Sequence, residues 1–514
     1  MGPGRYLGGF LTSLFLFGIL LFTGMARCYN VVEVFADGHF YFADGDCYSR
    51  MTRVRMVMEH PFHPVHHHSF ENYPQGTDPH TTAPMDYLVA LLAWLVEPWT
   101  PQYLDFAGAI VSPLLGIATA LFLWFWFGPV PYRGAALLLY AISPILVHGT
   151  AFGRPDHQSL LMFLLAVGLG AEWIMAVRPT CAWGIASGLA WGLALWTSLY
   201  EPVILLALVA ALYGVFQRRG LWGPVRYPGY AVLLGVLLLG LAVDGWPAIM
   251  PSKTIVRYFP AWEKTIGELA TATPLDSLLY RWVGFGLIAS PLLLLISCIR
   301  ERRNAAILIV LAVTYLLTLS QVRWGYFFGT VFVMSLPWQL AVLPRRWIGW
   351  CFFIASLWPI YREWNENLFL NKANFAQAFE RVSDARDLRD IAGHIKGPVL
   401  APWWCCPALA YWSGQPAIAG SSHESLPGIV DTARFYLSQD RVEVLSILRA
   451  RGVRWVVAYD SQRVLETSAT LLGRSASERD LGAFLYERPS SAPGFLSFEY
   501  ANRAFKLFRV EPDR

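Results

Sequence analysis

Asp44 and Asp46 stand one residue apart in FADGDCYSR (42–50), and Asp156, His157 and Gln158 stand in a row in AFGRPDHQSLL (151–161). Carboxylates held near a bilayer have the chemistry to bind a hard divalent cation, which takes oxygen ligands and often keeps some water. Each stretch also has a plainer reading. The first can be a polar turn capping an amphipathic helix whose Arg50, Arg53 and Arg55 lie at lipid headgroups. The second can be an N-cap, since helices commonly begin with Asp, although acid, imidazole and amide together exceed what a cap requires.

Other residues add chemistry of different kinds. Arg323, in LSQVRWGYFFG, either snorkels to the membrane interface or contacts a phosphate, for which guanidinium geometry is suited. The stretch 250–277 mixes cations and aromatics with Glu263, Glu268 and Asp276, as a loop closing over an anionic substrate does. The run EHPFHPVHHHSFENYPQG carries five histidines between residues 60 and 68. Pro61 and Pro64 interrupt the paired spacing that zinc ligands favour, so it reads as a solvated or interfacial loop. Cys405 and Cys406 read as two unrelated half-buried thiols, and the seven cysteines contain no CxxC pair.

The elements that must position these residues are apolar. Of 514 residues, 55% are hydrophobic and 15% charged, against about 25% charged in soluble domains. The net charge of +4 gives no footprint for a nucleic-acid partner. Apolar segments near bilayer-crossing length recur at 7–25, 104–128, 132–148, 158–177, 181–198, 201–216, 228–248, 279–299, 304–320, 325–343 and 346–361. The first is expected to be an uncleaved span, because Met25-Ala26-Arg27 before Cys28 fits neither a cleavage site nor a lipoprotein box. The stretch 84–96 is shorter and starts with Pro and Asp, as an interfacial or re-entrant helix does.

With the N-terminus cytoplasmic, the inner segments carry Arg5, Arg133, Arg178, Arg218, Arg219, Arg226, Arg300, Arg302, Arg303, Arg345 and Arg346, eleven cations against five in the short outer loops. That bias obeys the positive-inside rule. It places loops 26–103, 153–159 and 249–278, the corner 321–325 and the segment 362–514 outside. The last has ordinary charge and strand candidates at 398–402 and 454–459, so a small α/β domain is expected there.

ADGDCYSR followed by YPQG (73–76) resembles the first outer loop of oligosaccharyltransferase catalytic subunits, in which an aspartate precedes an arginine by six residues, as Asp44 precedes Arg50. GRPDHQ is similar to that family's second acidic motif, with Asp156 as its aspartate. IGEL (266–269) resembles its glutamate motif, singling out Glu268. PWWCCPALAYWSG (402–414) stands where the family opens its soluble domain with Trp-Trp-Asp-Tyr-Gly.

The resemblance implies a mostly α, polytopic GT-C fold of about 11–13 spans over residues 1–361, with a soluble extracytoplasmic α/β domain over 362–514. It implies a plasma or inner membrane glycosyltransferase that takes a sugar from a polyprenyl-linked donor, with inversion, using Mg2+ or Mn2+. Asp44 and Asp156 would be the principal metal ligands and catalytic residues, with Asp46, His157 and Gln158 as secondary ligands. Glu268 would complete the site, Arg323 and Arg154 would bind substrate, and Trp403 and Trp404 would form the acceptor wall. Gln158 replaces the family's glutamate, leaving one negative charge fewer, which His157 or Asp46 can offset. Cys405 replaces the aspartate that reads the Ser/Thr of a protein acceptor, so a lipid, glycan or envelope polymer competes with protein as acceptor. A transporter or flippase, a polymerase of lipid-linked sugars and a non-catalytic relative are the alternative readings. The acids at span ends and the lack of an internal repeat weigh against a transporter.

Overall fold

The computed structural model describes residues 3–511 apart from 62, 80–82, 217–219, 221, 248–251, 275 and 369–371. Arg218 and Arg219 of the inner cation set, and part of the loop 249–278, therefore lie outside the described residues. The chain forms two compact units. One comprises residues 1–31, 109–245 and 271–375; the other comprises 32–108, 246–270 and 376–514.

The first unit is helical. Every apolar segment expected in it coincides with a helix or a broken helix pair. By length and composition three described helices can cross a membrane: Tyr103–Phe127, which enters the unit at residue 109, His157–Val177 and Pro224–Asp244. The pair Ser277–Val283 and Gly286–Arg300, bent by 68°, makes a fourth if it is one span. The expected segment 132–148 breaks into Arg133–Ile142 and Pro144–His148. Proline has no N–H to donate and drives its predecessor out of the helical region; Ser143 is extended, and its hydroxyl donates to the Trp282 carbonyl at 2.7 Å.

Helix Gly325–Leu340 is buried along nearly its whole length. Helices Cys181–Thr197 and Tyr227–Asp244 touch backbone to backbone, because a Cβ on Gly188 would overlap the Gly229 carbonyl and one on Gly229 would overlap that of Gly184. Small residues at four-residue spacing are what lets apolar helices approach this closely.

The second unit is mixed. Strands β1 (Phe35–Ala36) and β2 (His39–Phe40) form a small hairpin. Strands β3 (Val399–Leu400), β4 (Trp455–Tyr459), β5 (Leu496–Ala501) and β6 (Phe505–Val510) form a sheet of order β3-β4-β6-β5, with β3 and β4 parallel and the other pairs antiparallel. Both expected strand segments are present. Helices 406–413, 426–437 and 441–450 lie in the crossover from β3 to β4, and the core gathers Leu400, Phe435, Val456, Leu485 and Phe508.

Residues 32–108 group with this α/β part for identifiable reasons. Glu33 pairs with Arg381 at 2.8 Å, Arg55 donates to the Tyr411 carbonyl at 2.8 Å, and the Tyr411 hydroxyl bonds Asp105. The stretch 84–96 is a helix, Ala83–Val96. Its fourteen residues rise about 21 Å, less than the roughly 30 Å of hydrocarbon in a bilayer.

Candidate active site

The structure sorts the candidate residues into two groups, one in each unit. In the mixed unit, Asp44 is extended and caps helix Gly45–Glu59, its Oδ1 accepting from the Cys47 amide at 3.0 Å. Asp46 follows in the first turn, exposed, where the helix dipole favours a carboxylate. The arginines of this helix do not lie at headgroups. Arg50 and Arg53 are buried and converge on buried Asp86, with Arg50 Nη1 at 2.6 Å from Oδ1 and Arg53 Nε at 3.1 Å from Oδ2. Arg55 stacks over Tyr411 at 4.2 Å.

The first acidic motif reaches the tryptophan motif directly. A Cβ on Gly45 would lie 3.5 Å from the Trp404 carbonyl oxygen and 3.3 Å from Ser421 Cβ. Trp403 and Trp404 meet edge to face at 5.7 Å, and Trp262, on helix Lys253–Trp262, packs against Trp403 at 5.9 Å. The indole Nε1 atoms of Trp262, Trp403 and Trp404 are all buried without a hydrogen-bond partner. Three such donors in one aromatic cluster suit a ligand rich in hydroxyl or carbonyl oxygens. Glu268 lies half-buried further along, in the turn Gly267–Leu269.

Cys405 and Cys406 are fully buried, not half-buried, and unpaired. Burial raises both thiols, that of Cys406 to about 12. Cys405, at the position where the resemblance expects an aspartate, therefore carries no charge.

The histidine run hides one structural residue. Buried His68 points its Nε2 at Glu71 Oε1, 4.0 Å away, and neither atom has a hydrogen-bond partner. Burial drives His68 down to about 3 and Glu71 up to about 7. Spacing alone gave no sign of which histidine turns inward.

In the helical unit, Asp156 holds the N-cap position of helix His157–Val177 but makes no side-chain cap bond, so the plain capping role is not the one it plays. Its Oδ1 meets His157 Nδ1 at 2.7 Å, and its Oδ2 lies 3.8 Å from Arg154 Nη2. Both Asp156 and Arg154 are buried. Gln158 is buried, and its Oε1 has no hydrogen-bond partner. Arg323, in the turn Val322–Trp324, meets Glu201 Oε1 at 2.6 Å. Glu201 is fully buried, with Oε2 accepting from the Ser198 hydroxyl at 2.9 Å. Sequence reading passed over Glu201, whose one signal is an acid at the start of an apolar run.

Among the described residues no three His, Cys, Asp or Glu side chains converge as a metal cluster. The donor chemistry nevertheless fits a hard cation. Asp156 supplies a carboxylate, and the orphaned amide oxygen of Gln158 is the kind of ligand such ions accept.

Buried Arg154 and Asp156 stand at the start of a helix able to cross a bilayer, and the α/β part carries paired tryptophans, features that fit the GT-C fold. Relatives agree. No family model matches the chain. A curated protein, dolichyl-phosphooligosaccharide-protein glycotransferase 1 of Archaeoglobus fulgidus, is 26% identical over 159 residues, which is 30% of this chain and 26% of that protein. The match thus spans about a quarter of that relative's length.

Among solved structures, the apo oligosaccharyltransferase of A. fulgidus aligns with a TM-score of 0.66 at 13% identity, covering 90% of this chain and 71% of that one. The archaeal oligosaccharyltransferase AglB from A. fulgidus, in complex with an inhibitory peptide and a dolichol-phosphate, aligns at 0.63 and 14%, covering 92% and 72%. ArnT from Cupriavidus metallidurans aligns at 0.56 and 14%, covering 99% of this chain and all of that one. The chain has the fold these proteins share and is an integral membrane protein, a divergent relative at low identity.

Proposed function

We propose that the protein is a glycosyltransferase that moves a sugar or oligosaccharide from a polyprenyl phosphate or pyrophosphate to an acceptor on the extracytoplasmic face of the membrane. The observation that carries this reading is buried Asp156 at the head of its helix, making no capping bond, with Arg154, His157 and the orphaned Gln158 oxygen around it. A buried, mutually paired charge set beside an orphaned amide oxygen is the kind of arrangement that marks functional sites. The N-terminus is taken as cytoplasmic and residues 362–514 as extracytoplasmic, supported by the excess of arginine in the inner segments.

In this reading Arg323 and Arg154 would receive the donor phosphate, Asp156 and Gln158 of the helical unit would supply oxygens to Mg2+ or Mn2+, and Asp44 and Asp46 of the mixed unit are candidates for the same role. A bound divalent ion stabilises charge on the departing phosphate. The acceptor nucleophile attacks the anomeric carbon with inversion, its proton passing to the Asp44 carboxylate. The bond from that carbon to phosphate oxygen breaks, and the polyprenyl (pyro)phosphate leaves with its electron pair. Glu268 completes the site as its loop closes, and Trp403 and Trp404 with Trp262 form the acceptor wall.

The neutral, buried Cys405 supports an acceptor other than a Ser/Thr-containing peptide. The test is transfer from a panel of polyprenyl-linked sugars to three acceptors in parallel: a sequon peptide, a glycan and a lipid. Transfer to any of them supports the reading, with the peptide arm weakest. No transfer and no release of polyprenyl phosphate by folded protein would overturn it.

A further inference from the structure

Behind the arginine of the second acidic motif stands a histidine that no motif singled out. His148 ends helix Pro144–His148 and faces two partners: Arg154 Nη1 lies 3.1 Å from its Nε2, and the Tyr326 hydroxyl lies 3.0 Å from its Nδ1. A guanidinium is always protonated and can only donate. His148 Nε2 must therefore be the bare, accepting nitrogen, and the proton must sit on Nδ1, donated to the Tyr326 oxygen. The imidazole is neutral and fixed in one tautomer by its neighbours.

The packing holds it there. The rings of His148 and Tyr326 are parallel, 3° apart in plane with centroids 6.1 Å apart. Gly149 allows this approach, since a Cβ there would fall 2.6 Å from Met162 Sδ and 2.8 Å from Tyr326 Cδ1. Tyr326 lies three residues after Arg323, in the first turn of helix Gly325–Leu340, and Arg323 is held in turn by Glu201 at 2.6 Å. Arg154 is thus linked through one imidazole to a phenol that stands three residues along the chain from Arg323.

We propose that His148 and Tyr326 are positioning residues that fix the Arg154 guanidinium relative to Arg323, so that the two arginines receive one anionic headgroup, a phosphate monoester or diester on a polyprenyl chain. This rests on the reading of Arg154 and Arg323 as donor-phosphate contacts. A charge-assisted hydrogen bond holds a long side chain in one geometry, and without it the Nη1 end of Arg154, beside its contact with Asp156, is held less tightly, a freedom that binding must then remove.

The test is the affinity of the purified full-length protein in detergent for farnesyl phosphate, with thermal unfolding recorded for each variant. Arg154→Ala and His148→Ala are each expected to weaken binding about tenfold, the scale of one lost hydrogen bond to a charged group. The double variant should bind no worse than Arg154→Ala. His148→Gln, whose amide accepts and donates at opposite ends, should recover affinity to within about twofold. Tyr326→Phe should fall between wild type and His148→Ala. Unchanged affinity in His148→Ala, or additive losses in the double variant, would overturn the positioning role while leaving the donor reading intact. Wild-type protein that does not bind farnesyl phosphate, or Arg154→Ala that binds it normally, would overturn the reading of Arg154 and this proposal with it.

Discussion

Arg323 meets fully buried Glu201 at 2.6 Å, so the cation proposed to receive the donor phosphate is itself held by an acid that solvent does not reach. Removing one partner of such a pair leaves the other charged and partly desolvated, at a cost of about 3 kcal/mol. Glu201→Gln is expected to lower stability by about that amount and to weaken polyprenyl phosphate binding, because Arg323 loses its anchor. Arg323→Lys keeps the charge but not the planar fork, and should cost affinity more than stability. Chemical unfolding in detergent and phosphate binding, measured on both variants, separate the two effects.

The pair His68 and Glu71 sets a pH window. His68, buried to about 3, stays neutral in the fold while the unfolded chain takes up its proton near 6.5, so its contribution is complete above 6.5 and fades as pH falls below it. Glu71, raised to about 7 from 4.5, is penalised when ionised, so stability fades as pH rises from 4.5 through 7. Between pH 4.5 and 6.5 the two slopes oppose each other. Above 6.5 only the last part of the Glu71 loss remains, the whole from pH 4.5 upward amounting to about 3 kcal/mol. Glu71→Gln should therefore abolish the decline between pH 6.5 and 8, read as the unfolding temperature against pH. A decline of equal size in that variant would refute the assignment.

Asp86 balances two buried arginines. Asp86→Ala would leave Arg50 and Arg53 without that counter-charge and is expected to cost more than about 3 kcal/mol. Asp86→Asn, which keeps the volume and one acceptor oxygen, should lose less. The yield of folded protein after detergent extraction ranks the variants, and equal yields would show that the arginines are compensated elsewhere.

Much of this architecture was legible from sequence because apolar length and acids at the ends of apolar runs are one-dimensional signals. Asp156 was visible as an acid, with imidazole and amide, immediately before a span, and RWVVAY announced β4. Contacts made across the chain were not legible. Glu201 looked like an acid at the edge of a span, and nothing local to SLYEP names Arg323 as its partner. Asp86 looked like a reason to demote 84–96 from a span, whereas it is the anion that Arg50 and Arg53 share. His68 was set aside with its neighbours because five histidines in nine residues do not say which one the fold turns inward. The grouping of residues 32–108 with the α/β part depends on pairs such as Glu33–Arg381, whose sequence separation hides them.

The most direct test of the central claim is release of polyprenyl (pyro)phosphate from a lipid-linked sugar by purified protein, with Mn2+ or with EDTA, in wild type, Asp44→Ala and Asp156→Ala. Release with metal, its loss with EDTA, and a fall of at least about a hundredfold in each variant, the scale of a lost catalytic carboxylate, are expected while the variants remain folded. Full release in EDTA, or full release by either folded variant, would contradict the claim.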